Sequence, residues 1–281
     1  MAKPGSKRGR TTAATMALVG AGGLLYAREV ETRRVEVRRV ELTLPRLAPE
    51  FDGYRLVQIG DFHLDDWSKP ERLHRVVEKV NEQRPDLVAI TGDFAGYSAK
   101  KFDAQQLIEA LRALGARDGS VAILGNHDYL TDVKLVRRCI REGGVEELIN
   151  GVRTLRRDEA ALHVAGIDDV MEGNSRLDLV LEQLLEEGAA ILLAHEPDFA
   201  DVSAATGRFD LQLSGHSHGG QLAVPFLGRL VLPPFSQRYT RGLYNVRGMI
   251  QYTNRGLGFV HARLRFLCRP EITVITLRSP T

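Results

Sequence analysis

Five of the eight histidines in this chain fall inside five short motifs: Gly60-Asp61-Phe62-His63, Thr91-Gly92-Asp93, Gly125-Asn126-His127-Asp128, Ala194-His195-Glu196 and Gly215-His216-Ser217-His218-Gly219-Gly220-Gln221. Imidazole nitrogen together with carboxylate oxygen favours a borderline divalent ion such as Mn, Fe, Zn or Ni over Ca or Mg, which prefer all-oxygen shells. Asp61 and His63 lie two residues apart, as do His216 and His218. On an extended segment such residues point to the same side, so Asp61 and His63 are expected to serve one ion together. A carboxylate can bridge two ions, and two ions about 3.5–4 Å apart are the usual apparatus for in-line displacement at phosphorus. The glycines beside each motif permit the tight turns that present such side chains inward.

These motifs follow short apolar runs with the length and Val/Ile/Leu content of buried strands: Tyr54–Ile59, Asp86–Thr91, Ser120–Leu124, His163–Ile167, Ala189–Leu193 and Asp210–Leu213. Helical patterns lie between them at Pro70–Gln83, Asp103–Leu114, Asp132–Glu142, Ser175–Glu187 and Pro197–Ala205, and Pro70 and Pro197 sit where a first helical turn tolerates proline. An earlier strand is expected in Arg33–Leu44, where Val35 and Val37, then Val40, Leu42 and Leu44, alternate with charges across one slip of register. After Gly220 the helical patterns stop and strands return at Met249–Thr253 and Ile272–Leu277, so the whole reads as a sheet-rich, mixed α/β sandwich. Loops after strand ends are where open α/β sheets carry ligands.

In type, order and spacing the motifs resemble the calcineurin-like metallophosphoesterases, with the D-x-H, G-D, G-N-H-D, H and G-H-x-H blocks all present between about Tyr54 and Leu277. The form is most similar to a bacterial membrane-associated branch, which shares the N-terminal apolar segment, the H-E-P-D phrase at His195–Asp198 and G-H-S-H-G-G-Q at the last block. The resemblance implies a four-layer α/β/β/α sandwich with mixed sheets. It also implies that Asp61, His63 and His218 hold one metal, that Asn126, His195 and His216 hold a second, and that Asp93 bridges them. His127 would protonate the leaving oxygen or stabilise the charged transition state, with Asp128 orienting its imidazole. Water between two divalent ions has a pKa low enough to lose its proton near neutral pH and supply a hydroxide that attacks phosphorus. The implied activity is a dimetal phosphoesterase cleaving a phosphodiester or pyrophosphate, in a lipid- or nucleotide-linked envelope precursor such as UDP-2,3-diacylglucosamine. The rival readings are a broad phosphomonoesterase or protein phosphatase, and a metal-binding membrane protein without catalysis.

A length of 281 residues with 43% hydrophobic and 26% charged composition excludes a disordered or collagenous chain. The two cysteines, Cys139 and Cys268, are too far apart to suggest a disulfide framework or a thiolate zinc site. The net charge of +2 argues against nucleic acid as a partner, but it conceals an asymmetry. Residues 1–50 hold ten Lys/Arg and five Glu, a balance of +5; subtracting these from totals of 38 and 36 leaves 28 basic and 31 acidic groups, or −3, for the rest. Thr11 to Ala27 carries no charge and follows Lys3, Lys7, Arg8 and Arg10. This is the pattern of an uncleaved signal anchor, which would make the protein membrane-associated. The basic residues on its two flanks nearly balance, so the side of the membrane is left open. The expected organisation is residues 1–32 as a basic N-terminus with its anchor and residues 33–281 as the catalytic domain.

Other polar residues have plainer readings: His74 as a surface residue, His163 as a structural histidine, and Asp65 and Asp66 as a solvated turn and helix cap. His261 lies in a late loop that can line the site. The stretch from Gln221 to Phe235, including Phe226, is unusually apolar and directly follows two expected ligands. It is read either as a hydrophobic flap or strand pair, or as a surface for acyl chains beside the metals. Arg229, Arg238, Arg241 and Arg255 are candidates to clamp a second phosphate.

Overall fold

The computed structural model describes residues 20–64, 70–97, 102–224, 228–229 and 232–281. The apolar runs are strands because both of their faces are covered. In chain order the elements are β1 (Glu36–Thr43), β2 (Arg55–Ile59), α1 (Pro70–Glu82), β3 (Leu87–Thr91), α2 (Ala104–Arg112), β4 (Ser120–Ile123), α3 (Asn126–Thr131), α4 (Val133–Glu142), β5 (Glu146–Glu147), β6 (Gly151–Arg157) and β7 (Ala160–Gly166). They continue with α5 (Leu177–Gln183), β8 (Ala189–Leu193), α6 (Ala200–Ala205), β9 (Leu211–Ser214), the short pair β10 (Ala223–Val224) and β11 (Gly228–Arg229), then β12 (Gly242–Val246), β13 (Met249–Thr253) and β14 (Glu271–Arg278).

Among the described residues two six-stranded sheets form, ordered β1-β14-β2-β3-β4-β5 and β12-β13-β9-β8-β7-β6. Their centres are parallel, with antiparallel pairings at β14–β2, β12–β13 and β6–β7. Alternation along each strand supplies the layers. Leu56, Leu87, Val121, Ile191 and Leu211 meet between the sheets. Val57, Ile90 and Ala122 turn outward against Val76 of α1, Leu107 of α2 and Val136 of α4, while Ala190 and Leu192 pack on Val180 of α5 and Ala200 of α6. The result is the α/β/β/α sandwich with mixed sheets.

The slip of register expected in the first strand is not present. β1 pairs residue for residue with β14 from Glu36↔Glu271 to Thr43↔Arg278. The change of phase is a change of face: Val35 and Val37 pack toward the helices, whereas Val40, Leu42 and Leu44 pack between the sheets.

Among the described residues no helix is long and apolar enough to cross a membrane. Residues 11–19 of the expected anchor lie outside the described residues, and residues 20–25 are helical and run into a π-helical turn, Tyr26–Val30. The far end of the expected anchor belongs to the folded domain. Ala27 is buried, with its carbonyl accepting from Arg265 N at 3.1 Å, and the buried Glu31 accepts from Cys268 N at 2.6 Å. Packing therefore crosses the boundary expected at residues 32 and 33. Both cysteines are buried and free. Glu31→Ala leaves the Cys268 amide unpaired inside the fold and is expected to cost about 1–3 kcal/mol. At roughly 2–4 °C per kcal/mol for a domain of this size, this predicts a Tm lower by about 2–12 °C. Glu29→Ala, a control on the same turn whose half-buried carboxylate pairs with the exposed Arg28 and Arg33, is expected to change Tm by less than about 2 °C; equal effects in thermal melts would show that the turn is not part of the domain.

Candidate active site

The five motifs all follow C-terminal strand ends, and both sheets present those ends to one place. Asp61 and His63 follow β2, Asp93 follows β3, and Asn126 and His127 open α3 after β4; His195 follows β8, and His216 and His218 follow β9. Buried donors gather there in two groups. Asp61, His63, Asp93 and His218 form one, and Asp93, His195 and His216 form the other, each with ligand atoms within 4.8 Å of one another. Asp93 is common to both. His216 and His218, despite their spacing, fall in different groups.

Asp61 and His63 do share a group, but not by lying on an extended segment. Asp61, His63, Asp93, His216 and His218 have φ of 47°, 45°, 55°, 64° and 49°, in the left-handed region that costs an L-residue about 1–2 kcal/mol. Glycine would relieve that strain and lose the ligand atom. The neighbouring glycines answer a different need: a Cβ on Gly215 would stand 2.5 Å from Asp61 Oδ2, and one on Gly125 would meet Asp93 Oδ1.

Asp93 Oδ2 lies 3.3 Å from His63 Nε2 and 3.2 Å from His195 Nε2, and its Oδ1 accepts from His127 N at 2.9 Å. His195 Nδ1 lies 2.7 Å from the Thr91 carbonyl, which can only accept, so Nδ1 keeps its proton and, once the ring is neutral, the lone pair is on Nε2. The same logic at Pro234, whose carbonyl is 2.9 Å from His216 Nε2, puts the lone pair of His216 on Nδ1. Asp61 Oδ1 accepts from His216 N at 2.8 Å. Asp61 Oδ2, Asn126 Oδ1 and His195 Nε2 are buried with no hydrogen-bond partner among the described residues. His63 Nε2 and His218 Nε2 stand 2.9 Å apart, where two lone pairs repel unless a proton or cation lies between them. Orphaned oxygens and opposed imidazoles are the donor set that divalent cations satisfy.

Electrostatics point the same way. Burial pushes Asp61 up to about 6, with His195 opposing and Asp93 adding. Burial also works against a charged Asp93, yet His195, His127 and His63 hold it well below the usual carboxylate range. His195 is held well above its ordinary value by Asp93, against burial. His216 falls to about 3 and His127 to about 4, chiefly through burial.

The expectation that Asp128 orients the His127 imidazole is not met. Asp128 is fully buried, and its carboxylate accepts from the amides of Asp93 at 3.1 Å, Ala95 at 2.9 Å and Gly125 at 3.0 Å. It ties the loop after β3 to the start of α3. His127 packs edge-on against His63 at 4.6 Å and Tyr97 at 4.5 Å between ring centres. Its Nδ1 has no partner among the described residues.

A cavity of about 250 Å³ opens over the cluster, where Asn126, His127, His216 and His218 meet Tyr97 and His261. Tyr97 stacks on His261 at 5.6 Å, with its hydroxyl 3.3 Å from His261 Nδ1. Leu232, Pro233 and Pro234 of the apolar stretch form another wall; β10 and β11 pair within that stretch, and Phe226 lies outside the described residues. The arginines expected to clamp phosphate are engaged elsewhere or exposed. Arg255 pairs with Glu271 and Glu36, Arg238 with Asp201, and Arg241 donates to Leu267 O, while Arg229 is exposed. Arg265, which no sequence pattern singled out, is the largest fully buried side chain. It donates to the carbonyls of Arg255, Gly256, Gly258 and Cys268, and its Nη2 lies 3.3 Å from His218 Nδ1. His163 is structural as expected, held by Thr154 and the Glu187 carbonyl, and His74 is exposed. Asp65 and Asp66 lie outside the described residues.

Burial raises Asp128 to about 7 and Glu196 to about 8. The stability these acids lend is full below their ordinary values of about 4 and is lost as pH rises through 7 and 8. His195, raised, acts with them; the lowered His127 and His216 act against them only below about pH 6.5. Metal-stripped protein is therefore expected to lose thermal stability from about pH 6.5 to 8.5, and Mn-loaded protein to lose less. Melts in EDTA and in Mn check this, and a Tm that climbs in EDTA over that window contradicts it.

The family described as calcineurin-like phosphoesterase matches residues 54–220. The chain is 39% identical over 267 residues to YkuE of Bacillus subtilis (strain 168), an uncharacterized metallophosphoesterase, covering 94% of this chain and 92% of that one. It is 27% identical to the phosphodiesterase YaeI of Escherichia coli (strain K12), over 95% of this chain and 97% of that one. It is also 33% identical to a Danio rerio transmembrane protein with a metallophosphoesterase domain, over 85% of this chain and 56% of that one. Family match, fold and buried Asp/His clusters agree: the chain belongs to the calcineurin-like metallophosphoesterases and is a metal-dependent phosphoester hydrolase.

Proposed function

We propose that the protein is a dimetal phosphodiesterase. In this reading Asp61, His63 and His218 hold one ion, Asn126, His195 and His216 hold the other, and Asp93 bridges them; Mn, Fe, Zn and Ni all suit the donors. The observation that carries the reading is the membership of Asp93 in both clusters. When bound, the ions supply a nucleophile near neutral pH and neutralise the non-bridging oxygens of the phosphoryl group. The remaining work belongs to side chains. Thr91 and Pro234 carbonyls fix the tautomers of His195 and His216, and Arg265 sits behind His218. His127, lowered to about 4, is neutral at pH 7, so it is assigned to donating a hydrogen bond to charge that develops on oxygen rather than to carrying a proton.

The diester preference is supported by the similarity to the E. coli phosphodiesterase and by a cavity that has organic walls, Tyr97 and His261 in one and Leu232 to Pro234 in another. A phosphodiester or pyrophosphate in a lipid- or nucleotide-linked precursor, of which UDP-2,3-diacylglucosamine is one, fits those walls. The exposed Phe235 beside them supports acyl contact. Membrane association through the basic, apolar N-terminus is part of the same proposal, with residues 33–281 carrying the chemistry and residues 26–32 packed on them. The Danio rerio relative, named as a transmembrane protein, is in keeping with it.

Asp93→Asn and His216→Ala are expected to lower turnover roughly a thousandfold or more, as for residues that act as a unit, with circular dichroism unchanged. A folded, metal-replete Asp93→Asn protein with near wild-type turnover would overturn the bridging role. Bis-p-nitrophenyl phosphate is expected to be cleaved faster than p-nitrophenyl phosphate; the reverse order would favour a phosphomonoesterase. Phe235→Ser should reduce activity on an acylated diester more than on the soluble one, and equal losses would remove the acyl contact.

A further inference from the structure

A second concavity, of about 420 Å³, lies between the N-terminal turn Glu31–Arg33, helix α1 and the loop carrying Arg263. Among the described residues five cations line it, Arg33, Arg72, Arg75, Lys79 and Arg263, against one carboxylate, Glu71. Arg72, Arg75 and Lys79 are spaced three and four residues apart, so they form one stripe of α1, while Leu73, Val76, Val77 and Val80 of that helix are buried. Arg39 of β1 reaches the end of the same helix, donating to Gln83 at 2.6 Å. Arg33 pairs with Glu29 at 2.6 Å, and Arg72 stacks over Phe259 at 4.4 Å. Among the described residues Arg75, Lys79 and Arg263 form no ion pair. The concentration is local, because residues 51–281 carry a balance of −3.

The position of this groove suggests its ligand. The helical residues 20–25 reach the domain at its rim, where the Ala27 carbonyl accepts from Arg265 N, two residues from Arg263. On that helix Leu24 and Leu25 are 57% and 68% exposed. Exposed leucines beside a cationic groove match the two layers of a bilayer surface, apolar chains below and phosphates above. We infer that this groove binds the phosphate headgroups of an anionic bilayer, as a site separate from the catalytic cavity. Its connection to that cavity is direct: Phe259 lies between Arg72, at 4.4 Å, and Arg265, at 5.8 Å, and Arg265 touches His218. Lipid held here stands beside the loop that supports the metal cluster.

The inference deepens the membrane placement proposed above, and the two fail separately. The full chain and a triple variant, Arg75→Gln, Lys79→Gln and Arg263→Gln, are sedimented with vesicles of phosphatidylcholine alone and with phosphatidylglycerol added. At about 1 kcal/mol per cation near an anionic surface, the variant is expected to bind the anionic vesicles about a hundredfold more weakly. Its binding to neutral vesicles and its hydrolysis of bis-p-nitrophenyl phosphate should be unchanged. Anionic binding by the variant equal to wild type overturns the groove. Wild-type binding to both vesicle types without preference also overturns it while keeping the apolar tether, and binding to neither overturns both. Saturation of the groove by soluble glycerol 3-phosphate, with vesicle binding unaffected, would assign it to a free phosphoester and overturn the bilayer reading.

Discussion

The carboxylate of Asp93 is the point at which the two halves of the sandwich become one site. It leaves the end of β3 in one sheet, and its Oδ2 faces His63 from that sheet and His195 from the other, at 3.3 and 3.2 Å. That approach exists only because the apolar layer between the sheets, with Leu56, Val121, Ile191 and Leu213, holds both sets of strand ends at one level. Asp128 then anchors the Asp93 backbone from the start of α3, and Gly125 leaves room for the carboxylate. Removing His63 or His195 leaves an acid buried without part of its counter-charge, which is far more costly than an exposed one.

Strain and burial at this point are compensated by function rather than by folding. Left-handed backbone at five donors and a buried Asp61 raised to about 6 both oppose stability in the metal-free protein. Bound cations reverse the sign of the electrostatic part, since they favour the ionised acids and the neutral imidazoles that coordinate them. Arg265 shows how closely the balance is set. A fixed buried cation sits 3.3 Å from a donor ring, held by backbone carbonyls that gather the loop from residue 255 to residue 268.

Much of this was legible in the sequence because the donors are of unusual type and follow strands buried on both faces. β6 and β12 were not, since they are the edges of their sheet and carry polar residues such as the half-exposed Arg153 and the exposed Asn245 that dilute the apolar signal. α3 was missed because Asn126–Thr131 has no apolar stripe; its start is fixed by Asp128 reaching back to the Gly125 amide. Spacing alone did not separate His216 from His218, which the family resemblance assigned to different metals and which fall in different clusters. Arg265 left no pattern at all, because its partners are main-chain carbonyls, which every sequence has.

The central claim is that Asp93 lies between two cations. Anomalous diffraction from Mn-loaded crystals tests it most directly. The account predicts two peaks about 3.5–4 Å apart, one bounded by Asp61, His63 and His218, the other by Asn126, His195 and His216, with the Asp93 carboxylate touching both. A single fully occupied peak, or two peaks of which only one contacts Asp93, would contradict it.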